Sequence, residues 1–169
     1  MSVFYPTALY ERITDLTPEL LREMGVRGLL LDVDNTLTRF HSTDVSDEVF
    51  AWLRRMADEG FSLAIVSNGK AHRIRDFAQK IGLPFTALAC KPLPYGYLRA
   101  AQWLHLPKEQ CLAIGDQVFT DVLGANLAGI RSVQVMPIEL ETDNAFFMFK
   151  RRLERGIVRR YRRKREEKR

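Results

Sequence analysis

At 169 residues, with 46% apolar and 28% charged residues, the chain has the length and composition of one soluble domain with a proper core. No apolar run approaches the ~18–20 residues of a membrane span, and no basic stretch followed by an apolar one opens the chain, so a cytoplasmic protein without a secretory signal is expected. The net charge of +5 conceals an asymmetry: residues 150–169 hold twelve Lys+Arg and three Glu, a net of +9, while the other 149 residues carry −4. The pI near 9.4 therefore describes the tail. Such a tail points to a polyanionic partner, either an anionic membrane surface or nucleic acid.

Residues 1–28 read as an N-terminal segment resting on the body. Residues 5–16 suggest a short helix or loop. Thr17-Pro18-Glu19 then gives an N-cap with proline at the first helical position, and the helix should stop at Gly25. Residues 29–33 read as a strand that opens on the apolar run Leu29-Leu30-Leu31, the pattern of a strand buried on both faces. The run leads into Asp32-Val33-Asp34-Asn35-Thr36. Two acids at the end of a buried strand cost desolvation unless a cation sits between them. A hard dication with oxygen ligands supplies that cation. The stretch thus suggests a metal-assisted site in which one aspartate attacks and the other manages a proton. The plainer alternative is a strand-to-turn corner with surface acids.

Residues 37–46 are polar, enough for a flap and too short for an inserted domain. Ser46 caps a helix running to about Asp58. Beyond it, strands and helices alternate: a strand over 61–66 ending in Ser67-Asn68-Gly69, a helix over 70–81, and a strand over 85–89 ending in Cys90-Lys91-Pro92. A helix over 94–104 follows, then a strand over 111–114 ending in Gly115-Asp116, a helix over 118–128 and a strand over 131–135. This order predicts a Rossmann-like α/β fold, a doubly wound parallel sheet of about five strands spanning the core 29–149. Cys90 and Cys111 each lie beside a strand and are expected to be reduced and buried.

The polar residues gather just after the strands. Asp32 and Asp34, Ser67 and Asn68, Lys91, and Asp116 all follow apolar runs, at the strand ends that line the ligand crevice of open α/β sheets. Each also has an ordinary reading. Ser67 alone is as good a helix N-cap as a ligand, and Lys91 with Asp121 is as good a structural ion pair. Phe146 to Phe149, beside Lys150 and the arginines, suit a membrane interface, or else cover the sheet's edge helices and leave the tail solvated. The tail offers charge to RNA, but no stacking-plus-groove module accompanies it.

Together, Asp32 to Thr36 (DVDNT), Ser67-Asn68, Lys91-Pro92 and Gly115 to Asp121 (GDQVFTD) resemble the four motifs of haloacid dehalogenase (HAD) superfamily phosphatases, subclass IIIA. The resemblance covers about residues 28–136. It implies that Asp32 is the nucleophile that becomes an aspartyl phosphate and that Asp34 is the general acid, then the base for water. It implies that Thr36 shapes the turn and touches substrate, that Ser67 and Asn68 hydrogen-bond the phosphoryl oxygens, and that Lys91 offsets charge on nucleophile and phosphate. Asp116 would hold Mg²⁺ with Asp32 and the backbone carbonyl of Asp34, and Asp121 would support Lys91 or the metal shell. Members often carry a cap after the first or third strand. Both gaps here are too short for one, so an open site and a large substrate are expected. Thr-Pro-Glu before the first strand and GDQVFTDVLGAN are similar to the small YqeG-type branch, which resembles phosphatidylglycerophosphate phosphatases. That likeness implies a membrane phospholipid as the phosphomonoester substrate. The alternatives are a soluble small metabolite, or a HAD-fold protein that binds RNA or a ribosome-related partner without turnover.

Overall fold

The computed structural model describes residues 2–139 and 145–167, apart from the side chain of Phe146. Among these residues, β1 (Ala8–Tyr10), β2 (Gly28–Leu31), β3 (Ser62–Val66), β4 (Phe85–Thr86), β5 (Cys111–Gly115) and β6 (Arg131–Val135) form one sheet in the order β1-β6-β5-β2-β3-β4. Every pairing is parallel. After β1 at one edge, the chain enters the centre of the sheet at β2, builds outward through β3 and β4, and then crosses to β5 and β6. The order therefore reverses between β2 and β5, the place where open α/β sheets leave a crevice.

The helices are α1 (Pro18–Glu23), α2 (Asp47–Asp58), α3 (Ala71–Ile81), α4 (Tyr95–Trp103), α5 (Leu123–Leu127) and α6 (Ala145–Glu166). They form where the caps predict: the Thr17 hydroxyl accepts from Leu20 N–H, and the Ser46 hydroxyl from Val49 N–H. The two-residue period of β2 divides the core between the faces of the sheet. Leu29 and Leu31 meet Trp52 and Met56 of α2 and Phe77 of α3, whereas Leu30 meets Tyr97 and Ala100 of α4 and Ala125 of α5. The Trp52 indole also donates to Leu16 O at 2.8 Å, seating the N-terminal segment on α2. Burying each such leucine contributes about 1.5–3 kcal/mol.

Leu31 lies opposite both Ile65 and Ile114, so β2, β3 and β5 end nearly level and deliver Asp32, Ser67 and Asp116 to one edge. The segments after β2 and β4 are turns and bridges with no inserted domain. The site is therefore uncapped on those two sides.

The structure differs from the sequence expectations in two places. Residues 8–10, within a stretch expected as helix or loop, are instead β1, which pairs with β6 at the sheet edge. The strand expected over 85–89 stops at Thr86. Leu88 and Cys90 take left-handed φ values of 48° and 54°, and Ala89 N–H donates to Ser67 O instead of continuing the ladder. That departure exposes Cys90, which was expected to be buried, while Cys111 is buried in β5 as expected. Both cysteines are free thiols. Residues 150–166 of the basic tail, whose helical or disordered state the sequence leaves open, lie in α6, which begins at Ala145. Arg151, Glu154 and Tyr161 are buried along it, and the Tyr161 hydroxyl donates to Thr7 O at 3.1 Å. No helix among the described residues is long and apolar enough to cross a membrane.

Candidate active site

Asp32 is the first residue beyond β2. Its N–H still donates to Ile114 O at 2.9 Å, so its backbone is fixed by the sheet while its carboxylate projects past it. Lys91 reaches the same point from the loop after β4. Its ammonium lies 2.5 Å from Asp32 Oδ1 and 2.6 Å from Asp121 Oδ1, and all three residues are buried. Asn68 places that lysine: its Nδ2 donates to Lys91 O at 3.0 Å and its Oδ1 accepts from Lys91 N–H at 2.8 Å. Both polar atoms of the Asn68 side chain are thus engaged with the lysine's backbone. Ser67 is buried, and its hydroxyl accepts from Gly69 N–H at 3.0 Å, leaving the hydroxyl proton to be donated elsewhere. The Thr36 hydroxyl donates to Asp32 Oδ2 at 3.3 Å and so orients the carboxylate.

Asp121 arrives on a widened π-helical turn, Val118–Val122, that precedes α5. It accepts from Gln117 N–H at 3.0 Å and from the Tyr97 hydroxyl at 3.4 Å. Only glycine at 115 leaves room for it: a Cβ there would stand 2.3 Å from Asp121 Cγ. Such π turns occur often at functional sites.

Asp116 directly follows β5 and has no exposure at all. One of its carboxylate oxygens, Oδ2, is held by the Arg151 guanidinium of α6, which also donates to Asp116 O at 3.1 Å. The other, Oδ1, is buried and has no hydrogen-bond partner among the described residues. Leaving such an oxygen bare is costly. One carboxylate oxygen from each of Asp32, Asp116 and Asp121 lies within 4.8 Å of the others. Both oxygens of Asp121 and both of Asp32 already have hydrogen-bond partners, so the bare Oδ1 of Asp116 is the oxygen best placed to accept a cation, with the Asp32 carboxylate beside it. An oxygen-only donor set with a bare buried oxygen fits a hard dication.

Burial pushes the Asp32 carboxyl up to about 7 against the pull of the Lys91 ammonium. It drives Asp116 well above the usual carboxylate range despite Arg151. Burial works against the Lys91 charge too, but Asp121 and Asp32 outweigh it and hold Lys91 well above its ordinary value. The cluster therefore carries acids in excess of its cations, the condition under which an added metal ion is favoured.

Asp34 lies outside this carboxylate group. Arg73 of α3 grips it with two bonds, Nη1 to Oδ1 at 3.0 Å and Nη2 to Oδ2 at 2.5 Å, and His41 N–H of the flap donates to Oδ1 at 2.9 Å. The structure thus brings Asp32, Lys91, Asp116 and Asp121 together, with Ser67, Asn68 and Thr36 on the loops around them and Asp34 at the rim. Arg73, Arg151, Glu154 and Tyr97 were not read from the sequence. Arg73 stands in the first turn of α3, after Ser67-Asn68-Gly69, and had no distinguishing signal. Arg151, Glu154 and Tyr161 repeat at helical spacing inside the basic run, and that period was the available clue.

The family model of haloacid dehalogenase-like hydrolases matches residues 40–129. The chain is 36% identical over 155 residues to "Probable phosphatase YqeG" of Bacillus subtilis, covering 92% of this chain and 90% of that protein. Among solved structures, an uncharacterized protein from Listeria monocytogenes serotype 4b aligns with TM-score 0.57 and 18% identity over 71% of this chain and 87% of its own. The cobalt-bound deoxy-D-mannose-octulosonate 8-phosphate phosphatase of Haemophilus influenzae aligns with TM-score 0.54 and 16% identity, covering 65% of this chain and 68% of its own. Both solved structures share the fold.

Proposed function

Because the chain belongs to the haloacid dehalogenase-like hydrolase family, we propose that it is a Mg²⁺-dependent phosphatase acting through an aspartyl phosphate on Asp32. The observation that carries this reading is the buried set at the strand ends: Asp32 against Lys91, beside an Asp116 oxygen that no described protein group satisfies. The relative named as a phosphatase supports the same class of reaction.

In this mechanism Asp32 attacks the phosphorus of a phosphomonoester and a new O–P bond forms. The bond to the leaving oxygen breaks, and Asp34 donates a proton to the departing alkoxide. Asp34 then takes a proton from water, which attacks the same phosphorus, releasing inorganic phosphate and restoring the carboxylate. Lys91 and the Ser67 hydroxyl balance charge on the phosphoryl oxygens, and Asn68 keeps Lys91 in place. Mg²⁺ held by Asp32 and Asp116, with the Asp34 backbone carbonyl, would supply the remaining positive charge. Without cations the anionic nucleophile and the dianionic substrate repel each other.

The substrate in this reading is phosphatidylglycerophosphate at an anionic membrane surface. An uncapped site admits a large substrate. On α6, Met148, Phe149 and Leu153 are exposed beside Arg152 and Arg160, a combination suited to an interface. Phe146 was part of the same expectation, but its side chain lies outside the described residues. The test is hydrolysis by purified protein with Mg²⁺, comparing kcat/KM for the lipid in mixed micelles with soluble sugar and nucleotide monophosphates. The expected result is Mg²⁺-dependent release of phosphate with the lipid preferred. A soluble metabolite favoured ten-fold or more, ~1.4 kcal/mol in the transition state, removes the lipid and keeps the phosphatase. No turnover of any phosphomonoester removes both.

A further inference from the structure

A cavity of about 700 Å³ lies under α6, where β5 and β6 end. Asp116 and Gln134 form its inner end, Met136 and Val158 line its apolar wall, and Arg155 and Arg159 stand along α6. Arg151, Arg155, Val158 and Arg162 follow one another at helical spacing, so one face of α6 looks onto this space. Phe149 and Leu153 line a separate hollow on another side of the helix.

The charges along the cavity are unevenly compensated. Arg151 is committed to Asp116 and Glu154. Arg162 comes no nearer than 3.9 Å to Glu11, with both side chains more than half exposed, so that pair contributes little. Arg152, Arg155 and Arg159 form no ion pair among the described residues. Arginines at positions i and i+4 repel each other. They also present the planar donor fork that matches a phosphate. The cavity begins at Asp116, whose carboxylate is within 4.8 Å of Asp32.

We propose that this cavity is a subsite for a second anionic group of the substrate, a phosphate ester or phosphodiester joined by a short linker to the phosphomonoester that reacts at Asp32. The inference rests on the phosphatase reading and adds to it a substrate class: molecules with two phosphates a few atoms apart, whether a soluble bisphosphate or a lipid carrying a headgroup phosphate. The short linker would lie against Met136 and Val158 while Arg155 and Arg159 close on the second anion.

The test is calorimetric binding of two non-hydrolysable probes, methylphosphonate and propane-1,3-bisphosphonate. The wild-type protein should bind the bisphosphonate at least ten-fold more tightly. The Arg155→Gln/Arg159→Gln double variant should lose most of that ratio. The charge-matched Arg163→Gln/Lys164→Gln variant, altered beyond the cavity, should keep it. Equal wild-type affinities, or a ratio that survives in the cavity variant or collapses equally in the control, overturns the subsite. Melting temperatures identify a variant that fails to fold, and the single variants Arg155→Gln and Arg159→Gln then decide. Turnover separates the two readings: an arginine-dependent bisphosphonate preference without hydrolysis of p-nitrophenyl phosphate retains the anion site and removes the phosphatase. Comparing glycerol 1,3-bisphosphate with phosphatidylglycerophosphate in micelles distinguishes the sources. A loss on both in the cavity variant supports the subsite. A loss confined to micelles places the arginines on the membrane surface and overturns it.

Discussion

The strand-end cluster and the outer part of α6 both concentrate charge, and they balance it differently. In the cluster, Lys91 lies between Asp32 and Asp121 within hydrogen-bonding distance of each, and none of the three is exposed. On α6, Arg152, Arg155 and Arg159 are exposed and form no ion pair among the described residues. Burial accounts for the difference. An unpaired charge away from water costs several kcal/mol, so the interior must supply its own counterions. A solvated charge costs little and can be left for a partner. Arg151 joins the two regions: it is rooted in the basic helix but buried against Asp116.

Replacing the nucleophile breaks the comparison most sharply. Asp32→Asn keeps the shape of the side chain and leaves Lys91 its second partner, Asp121. It should nonetheless lower kcat by more than about a thousand-fold, ~4 kcal/mol, because an amide is a poor nucleophile. Its circular-dichroism melt should stay close to that of the wild type. Substantial residual turnover, with contamination excluded, would mean that the cluster is a structural ion-pair network.

Two arginines on one helix give the next test. Arg151→Met strips a buried carboxylate of its cation and should destabilise the metal-free protein by about 3 kcal/mol or more. Arg159→Gln, on the solvated side, should stay within about 0.5 kcal/mol of the wild type. Denaturant titration of both reads the difference directly. Equal small effects would show that α6 does not seat Arg151 on Asp116 in solution.

The division between buried and exposed charge also marks what the sequence could reveal. The loops of the candidate site were legible because Asp32, Ser67 and Asp116 each follow an apolar run that reads as a buried strand, whereas Lys91 stands beyond the short edge strand β4 and was found by its place after the expected strand 85–89. The alternation of elements gave the doubly wound order. β1 was not legible, since three residues are too few to show a two-residue period and its partner β6 lies more than a hundred positions away. The early end of β4 depends on left-handed φ at Leu88 and Cys90, which neither side chain advertises. Arg151 was hidden by its neighbours. In a run of like residues, composition announces charge and says nothing of which arginine turns inward. Asn68 was read as a substrate contact, and the hold of its amide on the Lys91 backbone, which uses one of its two N–H donors, had no signal in the sequence.

Proton linkage sharpens the same contrast. Burial raises Asp32 to about 7, and it raises Asp116 and Glu154 as well. The metal-free native state thus retains protons that the unfolded chain has released above about pH 4. The resulting contribution to stability is complete below the ordinary carboxyl range and is lost as pH rises through about 7. The metal-free protein should accordingly melt lower near pH 8 than near pH 5.5. Added Mg²⁺ should raise the melting temperature more at the higher pH, where its ligands are ionised without competition from protons. A Mg²⁺ shift that is larger in acid contradicts the assignment of Asp32 and Asp116 as the ligands.

The smallest expected effect concerns Gly156, in the middle of α6. A Cβ built there meets nothing within 4 Å, and its φ is not left-handed, so neither space nor backbone conformation calls for glycine. Glycine in a helix interior is less favourable than alanine by roughly 0.5–1 kcal/mol, because the unfolded chain loses more freedom on folding. Gly156→Ala should therefore raise the denaturation midpoint by about that amount. The gain should appear only if α6 is continuous through this position and folds together with the body, since its anchors Arg151, Glu154 and Tyr161 lie on both sides of residue 156. A stabilisation within the roughly 0.5–1 kcal/mol range would show one cooperative unit that includes the basic helix. No gain would show that the helix unfolds independently of the sheet, and the contrast between a paired interior and an unpaired exterior would then be one between two separately folding parts.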